Sequence, residues 1–393
     1  CGLCMKDCPT GAIRVVNNTR EAVTADCAWS LGLAPALAGG KKVSLPTGDP
    51  ARLPMRFDLP AGLAPGPVEL SATVRFSTGE TQQDSFTLHV LPKAPPPKVD
   101  GKIALFDPKG ETGKLLAGLG VRAQPVEAGA DLGAFDVLVV GKGALAADGP
   151  GPDLGRVRDG LKGIVFEQTA EALERRLGFR TAEYGLRRVF PRVPDHPLLA
   201  GLGAEHLADW RGEATILPPR LKYTSSPRFN GASSVRWCGI EVTRAWRCGN
   251  QGNVASALIE KPARGDFLPV VDGGYSLQYS PLMEYREGKG MVLFCQMDVT
   301  GRSEADPAAE TLARNILGYV SAWKPSPVRK VLYAGDPAGK GHLEAAGFAP
   351  GDGAKEDLTA GHVLVVGPGG GASLAGRAGS VAAGLKAGGR VLA

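Results

Sequence analysis

Four short segments carry side chains able to move protons or hold a polar ligand. Asp107, Gly141-Lys142-Gly143, Glu167-Gln168 and Gln296-Met297-Asp298 each follow closely on a short apolar run. Those runs are Ile103-Ala104-Leu105-Phe106, Val137-Leu138-Val139-Val140, Ile164-Val165-Phe166 and Met291-Val292-Leu293-Phe294. Ligand sites of open parallel sheets gather where such strands end. Glu167 and Asp298 could work as paired carboxylates for acid/base chemistry, one giving and one taking a proton. Asp107, Lys142, Glu167, Gln168, Gln296 and Asp298 together form the candidate ligand-binding pocket. The plainer alternative is that the carboxylates cap helices and the glycines make tight turns.

Other chemistries find less support in the same residues. Gly141-Lys142-Gly143 lacks the spacing of a phosphate loop, and Gly367-Pro368-Gly369-Gly370-Gly371 has a proline where a donor amide is needed. Lys142 stands where a Ser or Cys nucleophile would have to sit after Val140, so no hydrolytic triad is expected. His196 has Asp195 beside it to orient its ring, but Pro194 and Pro197 indicate a rigid turn. No catalytic residue is assigned.

The cysteines are uneven. Cys1-Gly-Leu-Cys4-Met-Lys-Asp-Cys8-Pro9 resembles the last three cysteines of a bacterial ferredoxin run, whose thiolates hold a 4Fe-4S cluster. Three ligands are one short of four, so Cys1, Cys4 and Cys8 are metal candidates only if a further cysteine lies upstream. No other cofactor is expected. An iron–sulfur electron carrier is therefore the alternative function. Cys27 and Cys295 lie in apolar runs and read as buried thiols. Cys238 and Cys248 could pair across a hairpin in an oxidising compartment.

The elements that must position these groups change character along the chain. Over 12–92 the apolar residues alternate: Val23, Ala25, Cys27, Trp29 and Leu31 share a face, as do Val68, Leu70, Ala72, Val74 and Phe76. Leu53, Met55, Phe57 and Leu59, then Phe86, Leu88 and Val90, continue the pattern, with Asn17-Asn18, Gly39-Gly40, Thr47-Gly48 and Thr78-Gly79 as turns. That predicts an antiparallel, immunoglobulin-like β-sandwich. Residues 1–11 hold the cysteine motif, and the proline-rich 93–100 is a linker. From 101 to 322 continuous apolar strands alternate with helices over Thr112–Leu119, Ala170–Leu177 and Pro307–Val320, the last capped by Asp306. This is a doubly wound α/β domain with a loop-rich insertion near 205–290. After a linker at 323–329, residues 330–393 repeat its opening at an offset near 226–228 residues, as a truncated second α/β unit.

Composition removes whole classes. With 55 glycines and 31 prolines but no three-residue period, the 393-residue chain is turn-rich and not collagen-like. No apolar run approaches the roughly 18 residues of a membrane span. A net charge of +5, spread along the chain, gives no reason to expect nucleic acid. Trp210, Trp237, Trp246, Tyr275, Tyr279 and Tyr285, interleaved with Arg236, Arg244 and Arg247, suit packing more than stacking on bases. The start at Cys1 and the stop inside an apolar run at Val391-Leu392-Ala393 mark the chain as a fragment.

Taken together, the module order and several segments resemble a known group. The segments are Asp195-His196-Pro197-Leu198-Leu199-Ala200-Gly201-Leu202, Tyr285-Arg286-Glu287-Gly288-Lys289-Gly290, Asn315-Ile316-Leu317-Gly318-Tyr319 and Gly249-Asn250-Gln251-Gly252-Asn253-Val254-Ala255-Ser256. They are similar to the degenerate class I glutamine-amidotransferase-like (ThuA-like) domains appended to large bacterial glycoside hydrolases, beta-galactosidase-like enzymes of family 2 nearest among them. The amidotransferase cysteine is missing, as are the family's catalytic barrel and its Asn-Glu acid/base motif. The resemblance implies a non-catalytic accessory region of an exported, carbohydrate-degrading parent. Its expected partners are its own upstream catalytic domain, carbohydrate and a further copy of itself.

Overall fold

Alternation of apolar and polar residues places one face of each N-terminal strand in a core. The computed structural model describes residues 2–4, 12–48, 50–55, 58–60, 62–93, 95–214, 224–225, 233–237, 240–242, 251–326 and 328–393. They form mostly β-strands in several sheets with a few helices, divided into two compact units, 1–323 and 324–393. In the first, β1 (Gly2–Cys4), β2 (Ala12–Val16) and β5 (Pro50–Pro54) make a small sheet. A second sheet is built from β3 (Val23–Leu31), β4 (Leu37–Leu45), β6 (Gly66–Phe76) and β7 (Thr81–Val90), in the order β4-β3-β6-β7. Ile13, Val15 and Leu53 of the small sheet share one core with Val23, Ala25, Cys27, Ala72 and Val74 of the larger. Both sheets are antiparallel, and they pack face to face.

Two sequence expectations change here. Gly39-Gly40 is not a turn but the middle of β4. A Cβ on Gly39 would lie 2.6 Å from the Trp29 ring, and one on Gly40 2.7 Å from the Cys27 carbonyl oxygen. The glycines are there because neighbouring β3 comes too close for side chains. The strand through Leu53 ends at Pro54, and Leu59 is exposed rather than on a buried face.

Beyond the proline-rich joint, continuous apolar runs become strands covered on both sides. β8 (Ile103–Phe106) leads to α1 (Glu111–Gly118) and the two-residue β9 (Gln124–Pro125). Then follow β10 (Val137–Val140), β11 (Lys162–Val165), α2 (Ala170–Arg175) and β12 (Thr181–Leu186). The stretch expected as a loop-rich insertion supplies three long strands to the same sheet. They are β13 (Ala255–Glu260), β14 (Asp266–Gly273) and β15 (Tyr279–Glu287), ahead of β16 (Gly290–Cys295) and α3 (Pro307–Ala322). The sheet order is β12-β13-β15-β16-β11-β10-β8-β9, with β14 also pairing β15. β9, β8, β10, β11 and β16 run parallel, whereas β12 to β15 are antiparallel. Leu115, Leu116, Leu312 and Ile316 of α1 and α3 cover one face, and Ala172 and Leu173 of α2 the other.

The second unit holds β17 (Lys330–Ala334), α4 (Pro337–Ala345), β18 (Gly351–Asp352), β19 (His362–Val366), α5 (Gly370–Leu374), α6 (Ala378–Lys386) and β20 (Arg390–Leu392). Its parallel order β18-β17-β19-β20 matches β9-β8-β10-β11. Registers match too: Ile103 faces Val137 and Val137 faces Lys162, while Val331 faces Val363 and Val363 faces Arg390.

Candidate functional site

Because β8, β10, β11 and β16 are adjacent and parallel, their C-terminal ends deliver Asp107, Lys142, Glu167, Gln168, Gln296 and Asp298 to one edge of the sheet. Lys142 rises from the turn after β10, where the Gly141 N–H bonds the Phe106 carbonyl at 2.8 Å. Its backbone N–H donates to Thr112 Oγ1 on α1. Its Nζ donates to Asp298 Oδ1 at 2.5 Å and to the Thr300 carbonyl at 3.0 Å. Asp298 Oδ2 accepts from Arg302 at 2.9 Å. Arg302 in turn binds the carbonyls of Trp210, Arg211 and Asn253. Lys142, Asp298 and Arg302 are all buried, so each charge meets its partner in place of water.

Glu167 joins the cluster through Thr300, whose N–H and hydroxyl donate to its two oxygens at 2.8 and 3.2 Å. Burial pushes this carboxyl up to about 7; Lys142 opposes the rise, the Asp298 charge adds to it, and the Thr300 bond opposes it. At neutral pH Glu167 therefore stands between its two protonation states. Gln168 and Gln296 form a pair of their own. The Gln168 N–H donates to Gln296 Oε1, and Gln168 Nε2 donates to the Gly141 and Phe166 carbonyls. Asp107 is tied to α1, its Oδ2 taking the Gly113 N–H. Its Oδ1 lies over Gly141, where a Cβ would come within 2.5 Å. Asp107 Oδ1 and Gln296 Nε2 are buried with no hydrogen-bond partner among the described residues.

Lys142, Glu167 and Asp298 thus meet; Gln168 and Gln296 bond each other and the Gly141 carbonyl next to Lys142, and Asp107 serves α1. Sequence reasoning missed Thr300 and Arg302, although Arg302 stands four residues after Asp298. The second unit clarifies what Lys142 does. There the equivalent turn keeps the same backbone bond, Gly367 N–H to the Ala334 carbonyl at 2.8 Å, with Pro368 in place of the lysine. The turn itself does not require Lys142; the buried Asp298 does.

His196 belongs to a different knot. Its Nδ1 accepts the Leu198 N–H, and its Nε2 lies 2.9 Å from Glu284 Oε1, while Asp195 is exposed. Burial raises the Glu284 carboxyl, but hydrogen bonds from His196, Tyr319 and Arg286 outweigh it and hold it below its ordinary value. The Nδ1 bond fixes the ring, and Nε2 makes a close contact with the buried Glu284 carboxylate. Among the aromatics, Trp210 is core, Tyr285 stacks on Phe267 and Tyr275 is exposed. Cys27 and Cys295 are buried free thiols. The backbone of Cys4 lies in β1 opposite Arg14. Cys1, Cys8, Cys238, Arg244, Trp246, Arg247 and Cys248 lie outside the described residues.

No protein family and no curated protein matches this chain. Among solved structures it is similar to a calcium-binding mutant of Bacteroides uniformis beta-glucuronidase 2, at 13% identity and a TM-score of 0.17. That match covers 39% of this chain and 21% of the other, so it spans about a fifth of the enzyme. A likeness this slight identifies neither a fold nor an activity. No helix among the described residues is long and apolar enough to cross a membrane.

Proposed function

We propose that the chain is a non-catalytic accessory region of a large carbohydrate-degrading enzyme, acting through packing and assembly with a catalytic domain. The observation that carries the non-catalytic half is the sealed cluster of Lys142, Asp298 and Arg302. A general acid or base must come within hydrogen-bond reach of its substrate. Asp298 and Glu167 are 2% and 1% exposed, and their oxygens are already bonded within the protein. The carbohydrate half rests on the module order and the ThuA-like segments. In this reading the immunoglobulin-like sandwich and the amidotransferase-like sheet are spacers with docking faces. The test is turnover of a panel of nitrophenyl glycosides by the full chain. No saturable hydrolysis is expected, and hydrolysis that E167Q abolishes would overturn the reading.

A second reading has one observation in its favour. Asp107 Oδ1, on a half-buried residue, is an acceptor without a partner among the described residues and suits a hydroxyl of a small polyhydroxy ligand at the strand ends. Monosaccharides that raise the melting temperature of the wild type, but not of D107A, would establish it. No shift at high millimolar sugar would dismiss it.

A further inference from the structure

Away from the strand ends, the edge strand of the sandwich meets a short turn of the α/β domain at three metal-ligating side chains. His89 comes from β7, and Glu205 and His206 from the 3-10 turn Ala204–His206. One ligand atom from each lies within 4.8 Å of the others. We propose that His89, Glu205 and His206 bind a divalent transition metal of borderline softness, zinc being the reference, and so fasten the sandwich to the α/β domain. Two imidazoles and one carboxylate suit zinc, copper, nickel or cobalt, and a three-residue site leaves a fourth position to water.

The geometry sets what must move. Bonds of about 2.0–2.1 Å in a tetrahedron place ligand atoms about 3.3 Å apart. His206 Nε2 and Glu205 Oε1 are 3.9 Å apart, so that pair needs to close by about half an ångström. Glu205 can move, because its side chain is 49% exposed. The imidazole rings of His89 and His206 stand edge to face, with centroids 5.4 Å apart. His206 is held from behind: its Nδ1 accepts the Gly203 N–H at 2.8 Å, and its carbonyl accepts the Trp210 indole N–H. That Gly203 bond places the ring proton on Nε2. Capture of a metal at Nε2 transfers this proton through solvent to Nδ1 and gives up the Gly203 bond, so affinity falls below that of a preformed structural zinc site.

Cobalt(II) is the probe, because its visible bands separate nitrogen and oxygen ligands from thiolates. The full chain, stripped with chelator and with its thiols alkylated, is titrated with cobalt and then zinc. One equivalent is expected to bind, with ligand-field bands and no thiolate charge-transfer band, and to raise the melting temperature. H89A and H206A should each weaken binding at least tenfold, and E205Q by less. Loss of all binding on alkylation, or wild-type affinity in H89A, would overturn the proposal. Should either variant fail to fold, the alkylated wild type decides alone: absence of the nitrogen–oxygen spectrum ends it.

Discussion

Lys142 Nζ and Asp298 Oδ1 lie 2.5 Å apart, both sealed from solvent, although 156 positions separate them in the chain. Arg302 binds the other oxygen of the same carboxylate. One anion therefore serves two buried cations, and losing the anion is not the same as losing one cation. D298N takes the shared carboxylate from both buried cations and is expected to cost about 3–5 kcal/mol. K142M leaves Asp298 its bond to Arg302 and should cost less, about 1–3 kcal/mol. Urea denaturation of the two variants checks the order; a K142M chain less stable than D298N would refute the shared-anion account.

Glu167 makes stability fall with rising pH. Its folded proton affinity is raised to about 7 from 4.5, so the folded state holds a proton that the unfolded state has released. The stabilisation is complete below about pH 4.5 and is lost as pH rises through about 7. The whole difference is on the order of 3 kcal/mol. E167Q, which keeps an acceptor for the Thr300 N–H, should flatten stability between those limits relative to wild type. Parallel pH profiles for the two chains would show that Glu167 does not titrate there.

Gly39 and Gly40 are tests of the sandwich. G39A drives a methyl into the Trp29 ring and G40A one into the Cys27 carbonyl, and each is expected to cost about 1–3 kcal/mol. The Trp29 clash should also change tryptophan fluorescence in G39A more than in G40A. Unaltered melting in both variants would mean that β4 does not lie against β3 as described.

His196 is expected to be structural. H196A removes the acceptor for the Leu198 N–H and the close Nε2 contact with Glu284, leaving Arg286 and Tyr319 to hold that carboxylate. A loss of about 2–3 kcal/mol follows. Chemical denaturation measures it, and a loss under half a kilocalorie would contradict the knot.

Local pattern alone determined a good deal of this protein. The continuous runs at Ile103, Val137, Ile164 and Met291 are buried strands, since a strand covered on both faces has no position for a polar residue. Alternation marked β3 and β6, and Asp306 before Pro307 marked the start of α3, whose Ala308 N–H it accepts. These signals lie within one element, where spacing and geometry are the same thing. Tertiary structure decided what no local spacing carries. Gly39-Gly40 reads as a turn until Trp29 is placed across the sheet. The stretch near 205–290 reads as loop until β13 to β15 find β12 and β16 to pair with. Asp195 is the obvious partner of His196 along the chain, yet Glu284 holds it. Lys142, Glu167 and Asp298 meet only because β10, β11 and β16 are neighbours, and strand order is a property of the folded sheet. Whether those groups touch a substrate or only one another depends on burial, and there the tertiary structure closes them in.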